Sequence, residues 1–148
     1  MNTEICKEQI KRHEGEVLEV YKDSLGYLTL GVGHLIQADE VYYDQPVGQK
    51  VPQQVVDAYY DNDFEIHLSE TKHLVDDFDD LPEEIQHVLV NMCFNLGSAR
   101  LGKFKNMLKA CQQRDWKEMA AQMEDSRWFK QVGRRSVELQ EIVLGVEE

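Results

Sequence analysis

Residues 13–35, HEGEVLEVYKDSLGYLTLGVGHL, contain the point at which the chain changes its repeat. Ahead of them, Ile5, Cys6 and Ile10 recur at helical spacing behind Thr3, a residue suited to an N-cap. Gly15 then suits the position just past a helix, where a left-handed backbone ends it. From Leu18 the period becomes that of a strand. Val20-Tyr21, then Asp23-Ser24-Leu25-Gly26, then Tyr27-Leu28-Thr29-Leu30 read as strand, turn, strand. Gly31 and Gly33 mark a bend or a close backbone approach.

Outward from this hairpin the chain turns helical. Residues 35–51 read as an irregular or hairpin segment holding Pro46 and Gly48. Pro52 suits a first helical position, and Val55, Val56, Tyr59, Tyr60, Asp63, Phe64, His67 and Leu68 follow on one face. Asp76–Asp80 is a charged connector. Ile85, Val88, Leu89, Met92, Cys93 and Leu96 make the broadest apolar stripe, closed by Gly97, and should form the core helix. Further helices are expected around 101–112, 115–124 and 134–144. The fold class expected is α+β, a small β-rich lobe between an N-terminal helix and a helical bulk.

The chain has 148 residues and 17.3 kDa, which suits one domain with one core. At 42 % hydrophobic and 30 % charged it is an ordinary folded composition. The formal net charge is −12, which argues against a protein built to bind nucleic acid. That charge is uneven. Residues 36–84 carry 14 acidic and 2 basic side chains, whereas 100–135 carry 10 basic and 4 acidic ones. No apolar run reaches the roughly 20 residues that span a bilayer. The opening MNTEICKEQIKRHE lacks the apolar stretch and cleavage site of a signal peptide, so synthesis in a cytosol is expected. Cys6, Cys93 and Cys111 lie in apolar helical patterns and read as three reduced core thiols. No C-x-x-C pair occurs, so neither a zinc nor a redox site is expected.

Few residues are poised for chemistry. Glu14 ends the first helix, where the negative end of the helix dipole disfavours further negative charge; by itself it also reads as a solvated surface residue. Asp23 opens a turn and can simply bond its own backbone. The other reading is a carboxylate facing Glu14. Two carboxyls in different environments, one donating a proton and one assisting water, are what glycoside hydrolysis requires. Thr29 offers a hydroxyl for that water, or is a normal strand residue. His34 reads as base, ligand or core histidine. Asp63 stands on an apolar helix face, so a buried pair between the two is the preferred structural reading, and it would raise the histidine pKa. Arg134 and Arg135 alone read as a solvated helix start.

Together these signals are specific. His13-Glu14-Gly15, Tyr21-Lys22-Asp23 and Gly26–Leu35 strongly resemble the phage-type lysozymes of glycoside hydrolase family 24, through the spacing Glu14–x8–Asp23–x5–Thr29–x4–His34. Asn91–Gly97, Ser126-Arg127-Trp128-Phe129 and Arg134-Arg135-x-x-Glu138 extend the resemblance over nearly the whole chain except 36–52. The resemblance implies an endolysin-like muramidase that cleaves the β-1,4 bond between N-acetylmuramic acid and N-acetylglucosamine in bacterial peptidoglycan. Glu14 would be the general acid, Asp23 would assist the water beside Thr29, and the anomeric centre would invert. Inversion needs the carboxyls roughly 6.5–9.5 Å apart, against about 5–5.5 Å in retaining enzymes.

The resemblance further implies that Leu35, Phe94 and Asn95 line the substrate cleft, that His34 and Asp63 pair structurally, and that Arg135 approaches Glu14. The expected architecture is one lysozyme domain over 1–148. Its β-lobe would span about 15–52, a connecting helix 53–69, and a helical lobe 1–14 with 70–148. The cleft would lie between the lobes. No cofactor or metal, no nucleic-acid or membrane partner and a monomeric state are expected. A lysozyme-like module that binds glycan without cutting it, and a transglycosylase giving an anhydro product, are the competing readings. The acidic 36–84 segment motivates the first, and the intact Glu14, Asp23 and Thr29 set argues against it. If both charged segments border the cleft, an anionic wall is met mainly from the basic 100–135 side.

Overall fold

A computed structural model describes residues 1–146. It is mostly helical with one three-stranded antiparallel sheet, an α+β fold of the lysozyme-like kind. The chain forms two compact units, Lys7–Ile66 and Met1–Cys6 with His67–Glu148.

The Lys7–Ile66 unit contains most of α1 (Thr3–Glu14) and the sheet, β1 (Val17–Lys22), β2 (Leu28–Gly31) and β3 (His34–Leu35). Thr3 does not cap α1. It is the first helical residue, and Asn2 supplies the cap, its Oδ1 accepting from Ile5 N at 3.2 Å. Asn and Thr are both good caps, and periodicity alone does not choose between neighbours. Gly15 ends α1 with φ +79 and donates its N–H to Lys11 O at 2.8 Å. β1 pairs with β2 in the register Tyr21↔Thr29, and β2 with β3 in the register Thr29↔Leu35 and Leu30↔His34. The 35–51 segment carries a 3-10 turn at Val41–Asp44. It then returns along β1, where Val20 N donates to Gln49 O and Val51 N to Leu18 O.

The long helix α2 (Gln53–Leu74) begins one residue after Pro52, whose carbonyl accepts from Val55 and Val56. It runs past the expected end at 69. Val56, Tyr60, Phe64 and Thr71 are its buried stripe. Gly31, at φ +61, passes so close to α2 that a Cβ there would stand 2.8 Å from Val56 Cγ1.

The larger unit is helical. The connector at 76–80 hides an anchor, since Phe78 in its 3-10 turn is 2 % exposed. α3 (Glu83–Leu96) is the core helix, with Ile85, Val88, Leu89, Val90, Met92 and Cys93 fully buried. Each such aliphatic side chain contributes roughly 1.5–3 kcal/mol by leaving water. The helix expected over 101–112 is two, α4 (Ser98–Leu101) and α5 (Lys105–Gln112), because Gly102 and Lys103 break the run. α6 (Trp116–Glu124) is capped by Asp115, which accepts from Glu118 N. α7 (Arg127–Val132), absent from the periodicity reading, is a six-residue helix started by the Ser126 cap and ended by Gly133 at φ +62. α8 (Arg134–Leu144) follows directly. All three cysteines are free and buried.

Candidate active site

Six of the nine residues singled out from the sequence lie in the Lys7–Ile66 unit: Glu14, Asp23, Thr29, His34, Leu35 and Asp63. Glu14 is the last residue of α1. Its Oε1 rests over Gly33, where a Cβ would come within 2.6 Å of it. The β2–β3 turn therefore needs glycine twice over, for its φ of +63 and for the space the carboxyl takes.

Asp23 is both turn-former and oriented carboxylate. Its Oδ1 accepts from Leu25 N and Tyr27 N, each at 2.9 Å. Asp23 N donates to Tyr27 O, and Gly26 N to Asp23 O. Both amide bonds fall on the same carboxylate oxygen, Oδ1. Tyr21 stands within the influence of both carboxyls. Burial first, then the negative charges of Glu14 and Asp23, push its phenol above the ordinary value of 10.

Thr29 is 4 % exposed and sits opposite Tyr21 on one side and Leu35 on the other. Its Oγ1 donates to Tyr27 O at 2.9 Å, so the hydroxyl proton is committed and the oxygen lone pairs are left to accept from water. Leu35 is 47 % exposed, beside a hollow of about 320 Å³ formed with Tyr27, Ile36, Gln37 and Tyr43 among others.

His34 is gripped from both ring nitrogens. Nδ1 meets Asp63 Oδ2 at 2.7 Å, and Nε2 meets Glu40 Oε1 at 2.9 Å. The Tyr59 ring stacks on the imidazole with centroids 4.2 Å apart. Burial alone would lower the pKa of His34, but the bonds and charges of Asp63 and Glu40 outweigh it and hold the imidazolium above 6.5. Two ionised carboxylates facing one ring require both nitrogens to donate, so the cation is the form this site fits. Glu40 and Tyr59 were not singled out from the sequence. Glu40 looks like any other carboxylate in the acidic segment, and only its Gln37 N contact at 2.8 Å and the turn it closes bring it to His34.

Phe94, Asn95 and Arg135 belong to the other unit. The Phe94 ring meets the His67 ring edge-on at 5.0 Å. Asn95 Oδ1 accepts from Trp128 Nε1 at 2.7 Å, so its amide NH₂ is the group left to donate. Arg135 Nε donates to Oδ1 of the fully buried Asn91 at 2.9 Å. Trp128 and Asn91, both inside stretches that carry the resemblance, are thus the supports of Asn95 and Arg135.

Within the Lys7–Ile66 unit stand a carboxyl over a glycine turn, a second carboxyl held by two amides and a buried hydroxyl on the central strand. The family model described as phage lysozyme matches residues 11–141, and the chain belongs to that family, the lysozymes that act as muramidases and so as glycoside hydrolases. It is 28 % identical over 149 residues to a probable T4-type lysozyme 2 of Dictyostelium discoideum, covering 88 % of each chain. A probable T4-type lysozyme 1 of the same organism is 29 % identical over the same share. The pre-baseplate central spike protein Gp5 of Enterobacteria phage T4 is 30 % identical over 93 % of this chain, which spans 27 % of that protein.

Proposed function

We propose that this chain hydrolyses the β-1,4 bond between N-acetylmuramic acid and N-acetylglucosamine in bacterial peptidoglycan and thereby lyses cell walls. Glu14 protonates the departing glycosidic oxygen. The Asp23 carboxylate accepts the proton of a water that attacks the opposite face of the sugar, and Thr29 holds that water by its lone pairs. The anomeric centre inverts. Leu35, Phe94 and Asn95 contact the glycan. His34 with Asp63, and Arg135, position the elements that carry these groups. The enzyme is read as one domain over 1–148, a monomer that needs no cofactor, no nucleic acid and no membrane.

The observation that carries this reading is the pair of differently held carboxyls. Asp23 is surrounded by N–H donors that suit a carboxylate, while Glu14 ends a helix against a glycine turn. The test is turnover on purified walls. Glu14→Gln should lower it by about 10²–10⁴, the usual contribution of a general acid. Release of reducing ends by the wild type, with inverted anomeric configuration in the first product formed, is expected. Undiminished lysis by Glu14→Gln overturns the assignment of the acid. Binding to walls without release of reducing ends would make the chain a glycan-binding module instead.

A further inference from the structure

Three metal-ligating side chains meet in the His67–Glu148 part of the larger unit, away from Glu14 and Asp23 in the chain and outside every role assigned above. His67 and Glu70 are one turn apart on α2, and Cys93 faces them from α3. His67 Nδ1 lies 2.8 Å from Glu70 Oε1, Cys93 Sγ lies 3.8 Å from that nitrogen and 4.0 Å from that oxygen. The three ligand atoms all fall within 4.8 Å of one another. We propose that His67, Glu70 and Cys93 form a binding site for a thiophilic divalent cation, Zn²⁺ in the first place, that clasps α2 to α3.

The donor set and its spacing both point that way. One imidazole, one thiolate and one carboxylate are the borderline-soft mixture that selects zinc over magnesium or calcium. A tetrahedral ion with bonds of about 2.0–2.3 Å needs ligand atoms roughly 3.3–3.6 Å apart. The nitrogen and oxygen must separate by about half an ångström, and the sulfur must approach by a similar amount. Rotations of side chains that are 24 % and 36 % exposed can supply this. Ser98 Oγ donates to Glu70 Oε2 at 3.0 Å and fixes the carboxylate from its far oxygen, an orienting contact that metal sites commonly carry. A hollow of about 300 Å³, lined by Ser69, Glu70, His73, Leu74 and Ser98, borders the cluster on its Glu70 side.

Proton balance is simple. Without a cation one proton lies between Nδ1 and Oε1, and burial pushes the Cys93 thiol up to about 11, so the sulfur keeps its hydrogen. On binding, the imidazole proton transfers to Nε2, the thiol proton leaves to solvent, and Nδ1, Oε1 and Sγ⁻ each donate a pair to the metal. Nothing is oxidised or reduced. The clasp closes one residue ahead of Phe94, whose ring already meets His67 edge-on.

The site stands apart from the glycosidase reading, and its test reads no activity. Wild-type protein is titrated with Co²⁺ and, separately, with Zn²⁺ under reducing conditions. A near-ultraviolet thiolate-to-cobalt charge-transfer band is expected at one ion per chain. Zinc at about a hundredfold over its Kd should raise Tm by roughly 5–10 °C. Cys93→Val, which keeps the packing volume, should abolish the band, and His67→Gln should weaken binding of both ions at least tenfold. Cys111→Val should leave band and Tm shift intact. No band in the wild type, or a band and Tm rise that survive in Cys93→Val, would overturn the site.

Discussion

The carboxyl of Glu14 occupies the space that a side chain on Gly33 would fill: a Cβ at Gly33 would stand 2.6 Å from Glu14 Oε1. A helix end and a β-turn therefore meet at one point, and the position of the proposed acid depends on the absence of a single carbon. Gly33→Ala should lower wall hydrolysis by about 10²-fold, the cost of displacing a catalytic group by an ångström or so. Left-handed backbone strain should cost about 1–2 kcal/mol as well. Gly48→Ala is the control, because its φ of +94 incurs the same strain with nothing nearer than Glu19 Oε2 at 3.9 Å. Equal stability loss with activity lost only in Gly33→Ala is the expected pattern, read by turbidity and thermal melts.

Asp23 separates its two roles by substitution. Asp23→Asn keeps an acceptor for Leu25 N and Tyr27 N, so stability should change by less than about 0.5 kcal/mol while turnover falls by about 10² or more. Asp23→Ala removes the acceptor too and should cost about 1 kcal/mol in addition. Denaturant midpoints beside turnover for the two variants check this.

The His34 triad makes stability depend on pH in a definite direction. Its folded pKa lies above 6.5 with Asp63 and Glu40 as partners, so the folded state holds a proton that the unfolded chain releases. The contribution is complete below about pH 6.5 while both carboxylates stay ionised, and it is lost as pH rises through the folded pKa. Wild type should therefore lose stability relative to His34→Gln between pH 6.5 and the folded value, by up to about 1.4 kcal/mol per pH unit. The opposite case is His87, where burial, opposed by the charge and bond of Glu83, keeps the imidazole below 6.5. His87→Gln should lessen destabilisation as pH falls through 6.5. Melts of the three proteins from pH 5 to 9 measure both.

Charge segregation predicts a salt effect. With 10 basic groups in 100–135 on a chain of net charge −12, attraction to an anionic wall rests on one segment. Raising ionic strength from about 0.01 to 0.15 M shortens the screening length from about 30 to 8 Å, so wall turnover should fall. Charge reversal at Lys105 and Lys109 should reduce that slope. A rise of activity with added salt would contradict electrostatic approach from this side.

The thiols should be inert in the native state. Burial pushes Cys6 and Cys111 up to about 12 and Cys93 up to about 11. Disulfide reagents at pH 8 should modify all three only at the rate of opening or unfolding, and at once in denaturant. Colour release followed with and without guanidinium checks this.

Much of the molecule was legible in residue order because its causes are local. The helix-to-strand change at Gly15, the Asp23–Gly26 turn and the α3 stripe each depend on neighbours within a few positions. Glu14, Asp23 and Thr29 share one short segment, so the resemblance on which their proposed roles rest can be read from residue order. α7 escaped because six residues between a Ser cap and Gly133 show too little periodicity. Glu40 on His34, Gly33 under Glu14 and Asn91 beneath Arg135 were decided by tertiary contacts. So was the meeting of Cys93 with His67 and Glu70, which are 26 and 23 positions away. A side chain's partner across elements depends on helix phase and sheet register together. Period and propensity describe one element at a time, and so the composition of a pairing exists only once the elements have packed.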